Sequence, residues 1–336
     1  MAVLLTAGVS HAGVWGGFQT DTSSNMLMRP GGKSGIYATM YAGMGANVGF
    51  MAVSYRFGAG IIEHYEGVQM QTHTVDIRRD IVLSGKSLLS LDGDCTVSRF
   101  GSVTYLDGYT ELSGSALYKT YPLPNILVRI NGEVSGKSYR SFESEDYSQS
   151  DLFVRIDRFF PTGTTVRGQV DLGMRNYVKL PGNSSVELAG YRIRAAQSLG
   201  GRWGVWIEWA DRDVSSDVNN TIADSYDRLF LDDVYMYGSK RFDAGIKRIL
   251  PGGFLELSVE HVEKAYNSSL ASTYWYLPPG GWDETERGIT LELQYRPDYL
   301  APTVHPFVEL YSFDVDASFG DLSYSSTGLS AGFRVY

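Results

Sequence analysis

At 336 residues and 37.2 kDa the chain has length for two soluble domains or for one large barrel. A formal net charge of −9, with no basic stripe to offset it, argues against a nucleic-acid partner. No run of about eighteen apolar residues exists, which excludes a transmembrane helix. The 23 tyrosines and 38 glycines suit strands and aromatic interface girdles, and suit a soluble β-sandwich as well.

Met1–Ala12 resembles the end of a secretory signal, with Ser10 and Ala12 placed for cleavage before Gly13. A strand is expected near residues 13–20. Period-two alternation then predicts a hairpin of Ile36, Ala38, Met40 and Ala42 against Met51, Val53, Tyr55 and Phe57, turning through Gly45-Ala46-Asn47. A less regular strand follows near residues 68–80, and its partner alternates Leu89, Leu91, Gly93, Cys95 and Val97 with Ser90, Asp92, Asp94 and Thr96. The third hairpin pairs residues 109–119 with 125–137.

The clearest pattern lies between Asp151 and Arg175. Leu152, Val154 and Ile156 interleave with Phe153, Arg155 and Asp157; after Pro161-Thr162-Gly163-Thr164, Val166, Val170, Leu172 and Met174 interleave with Arg167, Gln169, Asp171 and Arg175. A strand sends successive side chains to opposite faces, so each arm has one greasy face and one charged face. Residues 186–198 and 202–213 repeat the pattern around Gly200-Gly201. Another hairpin turns at Leu250-Pro251-Gly252-Gly253, a seventh joins residues 286–296 to 304–315, and a last strand carries Leu329, Ala331, Phe333 and Val335.

The connections alternate in kind. Short Pro/Gly turns join the arms of each hairpin, while longer polar loops (98–108, 138–149, 214–231, 267–285 and 316–325) join one hairpin to the next. Such sorting predicts an all-β, single transmembrane antiparallel up-and-down barrel over residues 13–336, of about sixteen strands, or fourteen if weak ones fail. The short turns are expected in the periplasm and the long loops outside.

Across essentially all of residues 13–336 the chain resembles bacterial outer-membrane β-barrel proteins, through the signal remnant, the hairpin series and the terminal aromatic Tyr336. Tyr336 falls one residue out of phase with the apolar face Leu329, Ala331, Phe333 and Val335. The resemblance implies outer-membrane lipid and the barrel-assembly machinery as partners. It implies a porin-like channel for an unidentified small polar solute, or else a non-conducting surface-interaction barrel acting through acidic loops.

No catalytic constellation closes in the sequence. Asp232-Asp233 has no histidine at its level, since His261 falls opposite Phe242, and His261 has no serine neighbour on its face. His64 and His73 read as solvated loop histidines, and His305 sits in a turn. Cys95 is the only cysteine and reads as a small hydrophobe. No metal-type spacing and no cofactor motif appears. Acid-rich segments (143–146, Asp211, Asp213, Asp217, Asp224, Asp227, Asp283, Glu284, Glu286) read as solvated loops that supply the excess negative charge.

The inward faces carry the candidate pore lining: Arg129, Arg155, Asp157, Arg167, Asp171, Arg175, Arg192, Arg194, Glu208, Asp243, Glu256 and Glu292. A charge facing lipid at mid-depth costs about 2–4 kcal/mol, which directs these residues to the lumen. Their arginines, from Arg155 to Arg194, are expected to favour anions locally unless wall ion pairs consume them.

Overall fold

The structure, a computed structural model, describes residues 13–23, 35–62, 69–100, 108–140, 146–177, 185–216, 237–266, 282–295, 304–318 and 323–335. These form sixteen strands. In chain order they are β1 Gly13–Ser23, β2 Gly35–Val48, β3 Met51–Ile62, β4 Gln69–Ser84, β5 Ser87–Phe100, β6 Tyr109–Leu123, β7 Ile126–Tyr139 and β8 Tyr147–Phe159. The second half holds β9 Thr164–Tyr177, β10 Ser185–Gly200, β11 Trp203–Ser216, β12 Tyr237–Leu250, β13 Gly253–Tyr266, β14 Trp282–Tyr295, β15 Val304–Ala317 and β16 Tyr324–Val335. Each strand pairs antiparallel with its sequence neighbours, and β1 pairs with β16 from Gly16↔Val335 to Ser23↔Gly328, so the barrel closes. Closure removes every strand edge and satisfies the backbone internally, the condition for a sheet in lipid.

Side-chain exposure follows the period-two reading. Along β8, Leu152, Val154 and Ile156 are exposed while Asp151, Phe153, Arg155 and Asp157 are covered; along β9, Val166, Val170, Leu172 and Met174 are exposed while Gln169 and Arg175 are buried. The exposed apolar set recurs around the circuit, through Val75, Ile77, Leu112, Val134, Ile193, Ile207, Leu257, Ile289, Leu310 and Leu329. A water-soluble sheet would bury these residues. A surface that presents them in a continuous band is built to face hydrocarbon.

One end of the barrel, the turn end, holds the short connections. Gly85-Lys86 joins β4 to β5, and Gly201-Arg202, with φ of 55° and 70°, joins β10 to β11. Several expected boundaries move. β2 runs through Gly45-Ala46-Asn47 to Val48 and turns at Gly49-Phe50, where Gly49 takes φ 62°. β4 is a full strand of 16 residues. At the opposite, loop end, the strands extend further than expected. Asp211 and Asp213 lie in β11, and Asp283, Glu284 and Glu286 lie in β14, so these acids belong to the wall and not to loops. There both sheet faces carry polar side chains, and the alternation that marks a strand fades. Tyr336, His64 and Asp232-Asp233 lie outside the described residues, as does most of the acid-rich loop sequence.

Candidate functional site: the charged wall of the lumen

Strand register turns the inward residues into rows. One row crosses five strands as Lys119 (β6), Arg129 (β7), Arg155 (β8), Gln169 (β9) and Arg192 (β10). The next row toward the turn end reads Leu127, Asp157, Arg167, Arg194, Glu208, Asp243 and Glu260 from β7 to β13. Asp157 is 1% exposed and takes Arg129 at 3.0 Å and Arg167 at 2.6 Å. Glu208 receives Arg192 and Arg194, each at 3.6 Å. Arg155 has no carboxylate partner among the described residues; its Nε donates to Gln169 Oε1 at 2.6 Å. Four guanidiniums therefore share two carboxylates and Arg155 has none, so ion pairing leaves this sector of the wall positive.

The adjoining sector has the opposite sign. Across β11–β15 the inward carboxylates are Glu208, Asp243, Glu256, Glu260, Glu284, Glu286, Glu292 and Glu309, against Arg212, Arg241, Lys247 and Lys264. Arg241 bridges Asp243 and Glu260 at 2.7 Å each, Lys247 holds Glu256 at 2.7 Å, and Lys264 holds Glu286 at 2.8 Å. Glu292 stands in register between Glu256 and Glu309, three acids in one row. The loop-end half of β4–β8 is acidic as well, with Asp76 facing Asp94 and Glu133 facing Asp151. Like charges opposite each other are unfavourable in a dry sheet and tolerable beside water. The negative excess is therefore not confined to the outer loops, contrary to the sequence-based expectation. It lines much of the lumen.

All twelve predicted lining residues have inward parity, but they do not form one group. Arg129, Arg155, Asp157, Arg167, Arg192, Arg194 and Glu208 come together, and Asp243, Glu256 and Glu292 belong to the acidic sector. Asp171 accepts from Gln169 at 2.5 Å. Arg175 stands apart at the loop end: it is 4% exposed, donates to Gln149 at 2.8 and 3.0 Å, and lies 4.0 Å over the Tyr147 ring.

Two further features rest on contacts that the sequence did not show, although period two already put Trp206 on the face of Glu208. Trp206 points into the lumen, where its Nε1 donates to Glu256 at 3.0 Å and Arg194 lies 4.3 Å over its ring. The inward positions near the loop end of β10–β15 include Val186, Leu188, Tyr237, Val262 and Val315, all buried. Their parity was readable; that they pack instead of lining water was not. Between β7 and β14, inward groups such as Glu133, Phe153, Arg192, Arg241, Lys264 and Glu286 line one cavity of about 410 Å³.

His73 and His261 fall on the outer face, while His305, expected in a turn, lies in β15 with the inward parity of Glu309 and stands opposite Arg334. His73 lies in β4, not in a loop, and shares a 2.7 Å hydrogen bond with the Tyr55 hydroxyl. His261 stands opposite Phe242 as expected, but its other neighbour is Arg287, and Glu263 lies 3.5 Å away. Cys95 faces outward between Val75 and Leu112.

No protein family and no curated protein matches the sequence. Solved structures match the fold. OccK3 (OpdO) of Pseudomonas aeruginosa aligns with TM-score 0.55 and 10% identity over 97% of this chain and 95% of that one. OprD of the same organism aligns with TM-score 0.54 and 10% identity over 98% and 97%. The P. aeruginosa outer membrane protein OpdK, of which a structure with vanillate also exists, aligns with TM-score 0.51 and 11% identity over 97% and 99%. The chain has the fold of these porin-like outer-membrane barrels.

Proposed function

We propose that the chain is an integral protein of the bacterial outer membrane that passes small polar solutes without covalent chemistry. The lipid-type outer band supports the membrane assignment, and a sixteen-stranded closed barrel is wide enough for an aqueous lumen. In this reading the short turns lie in the periplasm and the long loops outside. The observation that carries the solute class is the arginine sector, where four guanidiniums share two carboxylates and Arg155 stands without one. Guanidiniums remain charged at any working pH, and a low-dielectric wall focuses their field. Small anions, carboxylates among them, gain a route along β7–β10, while the acidic sector beside it repels them.

Single-channel recording across a salt gradient tests this. The wild type should conduct, and Arg192→Glu combined with Arg194→Glu should move the reversal potential toward cations. An unchanged reversal potential removes the arginine sector from the selectivity argument.

A second reading, a non-conducting surface-interaction barrel, is favoured by one observation: the burial of Val186, Leu188, Tyr237, Val262 and Val315 at the loop end of the lumen. Folded protein that never conducts would move the assignment there. Deleting residues 267–281 separates the two, because a pore gated by that loop gains conductance and an adhesin loses only binding. The deletion must stop before Trp282, since Trp282–Thr285 pair with β13.

A further inference from the structure

The outer face carries three charges that its apolar surroundings do not explain. Arg79, Arg158 and Arg248 have the outward parity of β4, β8 and β12 and are exposed. Their cross-strand neighbours on that face are apolar: Leu91 beside Arg79, Ile126 and Val166 beside Arg158, Trp203 and Leu255 beside Arg248. All three lie toward the turn end, on strands spaced four apart in the circuit. None has a carboxylate within ion-pair distance among the described residues, whereas Arg78, one position from Arg79 but facing inward, has Asp80 at 3.2 Å and Asp92 at 3.7 Å.

Each of the three sits over an aromatic ring instead. Arg79 lies 4.2 Å from the Phe50 ring centre, Arg158 4.8 Å from Phe160, and Arg248 5.1 Å from Trp203. Phe50 and Phe160 belong to short turns and Trp203 begins β11 directly opposite Arg248, so all three pairs stand at the turn-end margin of the apolar band. A ring covers one face of a guanidinium and leaves its N–H groups unsatisfied. Those N–H groups match a phosphodiester, which accepts two of them at once. With no carboxylate in any of the pairs, nothing is offered to the ammonium of a zwitterionic headgroup, and a headgroup of net negative charge fits best. The outer face at the loop end is built differently: Asp213, Glu263, Asp314 and Asp316 accompany Lys240, His261 and Arg287.

We propose that the three arginine–aromatic pairs are phosphate-binding subsites for anionic glycerophospholipid in the leaflet at the turn end. This rests on the membrane-spanning reading but not on conductance.

Native mass spectrometry of the full-length folded protein in detergent, offered phosphatidylglycerol and phosphatidylcholine in equal amounts, tests it. The wild type should retain up to three phosphatidylglycerol molecules in preference to phosphatidylcholine. Arg79→Gln, Arg158→Gln and Arg248→Gln should each remove one, and the triple variant should lose the preference. Substituting lysine at all three positions should keep part of it. Heat-modifiable migration on gels confirms folding of each variant. A triple glutamine variant that retains as much phosphatidylglycerol as the wild type overturns the proposal, as does a wild type without preference. Displacement of the lipid by inorganic phosphate alone would show sites for a free anion and overturn the lipid assignment. Protein that stays soluble without detergent would refute the membrane reading itself, an outcome separate from the lipid count.

Discussion

Asp157 shows how much of the lumen wall hangs on single residues. Its carboxylate is nearly fully buried and is shared by Arg129 and Arg167. Asp157→Asn removes the negative charge from both contacts, and charge-assisted hydrogen bonds contribute about 1.5–3 kcal/mol. The expected result is a loss of that order in denaturant unfolding, together with a stronger anion preference, because Arg129 and Arg167 lose the carboxylate they share. Gly245 is the steric counterpart. A Cβ there would stand 2.6 Å from the Trp206 indole, a rigid ring already fixed by Glu256 and Arg194. Gly245→Ala should cost about 1–3 kcal/mol as an overpacked site, while Gly168→Ala, with nothing within 4 Å of the added carbon, should be close to neutral. Chemical denaturation of the two variants in the same detergent checks the contrast. The inward direction of Asp157, Arg167 and Trp206 was legible in the sequence, because period two assigns a face to every residue of a strand. Their partners were not. Arg129 and Asp157 are 28 positions apart, and only the register of β7 on β8 makes them meet.

Among the elements, the hairpins were legible and their ends were not, and the reason differs at the two ends of the barrel. Turn-end boundaries depend on local backbone conformation. Gly49 and Gly201 both take positive φ, but glycine is also frequent inside these strands, so Gly45 looked like a turn and is ladder. At the loop end the strands outrun the apolar band, so Glu284 and Glu286 read as loop acids although they are inward wall residues. The β10–β11 turn offers a direct test. Arg202 follows Gly201 with φ 70°, a conformation that costs a residue with a Cβ about 1–2 kcal/mol, and a two-residue hairpin turn with both φ positive favours Asn-Gly or Gly-Gly. Arg202→Gly should raise the unfolding midpoint, with a stability gain of up to about 1 kcal/mol after the entropy lost at glycine is set against the relief. A lower midpoint would show that the arginine side chain stabilises the turn end in some other way.

At the scale of the whole barrel, the lumen wall divides into two sectors of opposite sign, and the proposed passage of ions should depend on both and not on one arginine row. The positive sector spans the turn-end part of β7–β10, where Arg129, Arg155, Arg167, Arg192 and Arg194 outnumber Asp157 and Asp171, with Glu208 of β11 at its border. The negative sector spans β11–β15, where the inward acids outnumber the inward cations two to one, and Glu292 stands in a row of three acids that Lys247 meets only at one end. If each sector attracts its own counter-ions along its own strands, removing charge from either one must move the reversal potential, and in opposite directions. Glu292→Gln should shift it toward anions, and Arg192→Glu with Arg194→Glu toward cations. Both shifts are electrostatic and must weaken with salt, because the screening length falls from about 10 Å at 0.1 M to about 3 Å at 1 M and wall charges then reach less of the lumen. Recordings of the wild type and both variants at the two ionic strengths therefore form one test. Opposed shifts at low salt that shrink together at high salt support a two-sector lumen. Shifts of the same sign, or shifts insensitive to salt, would mean that size and not charge governs passage.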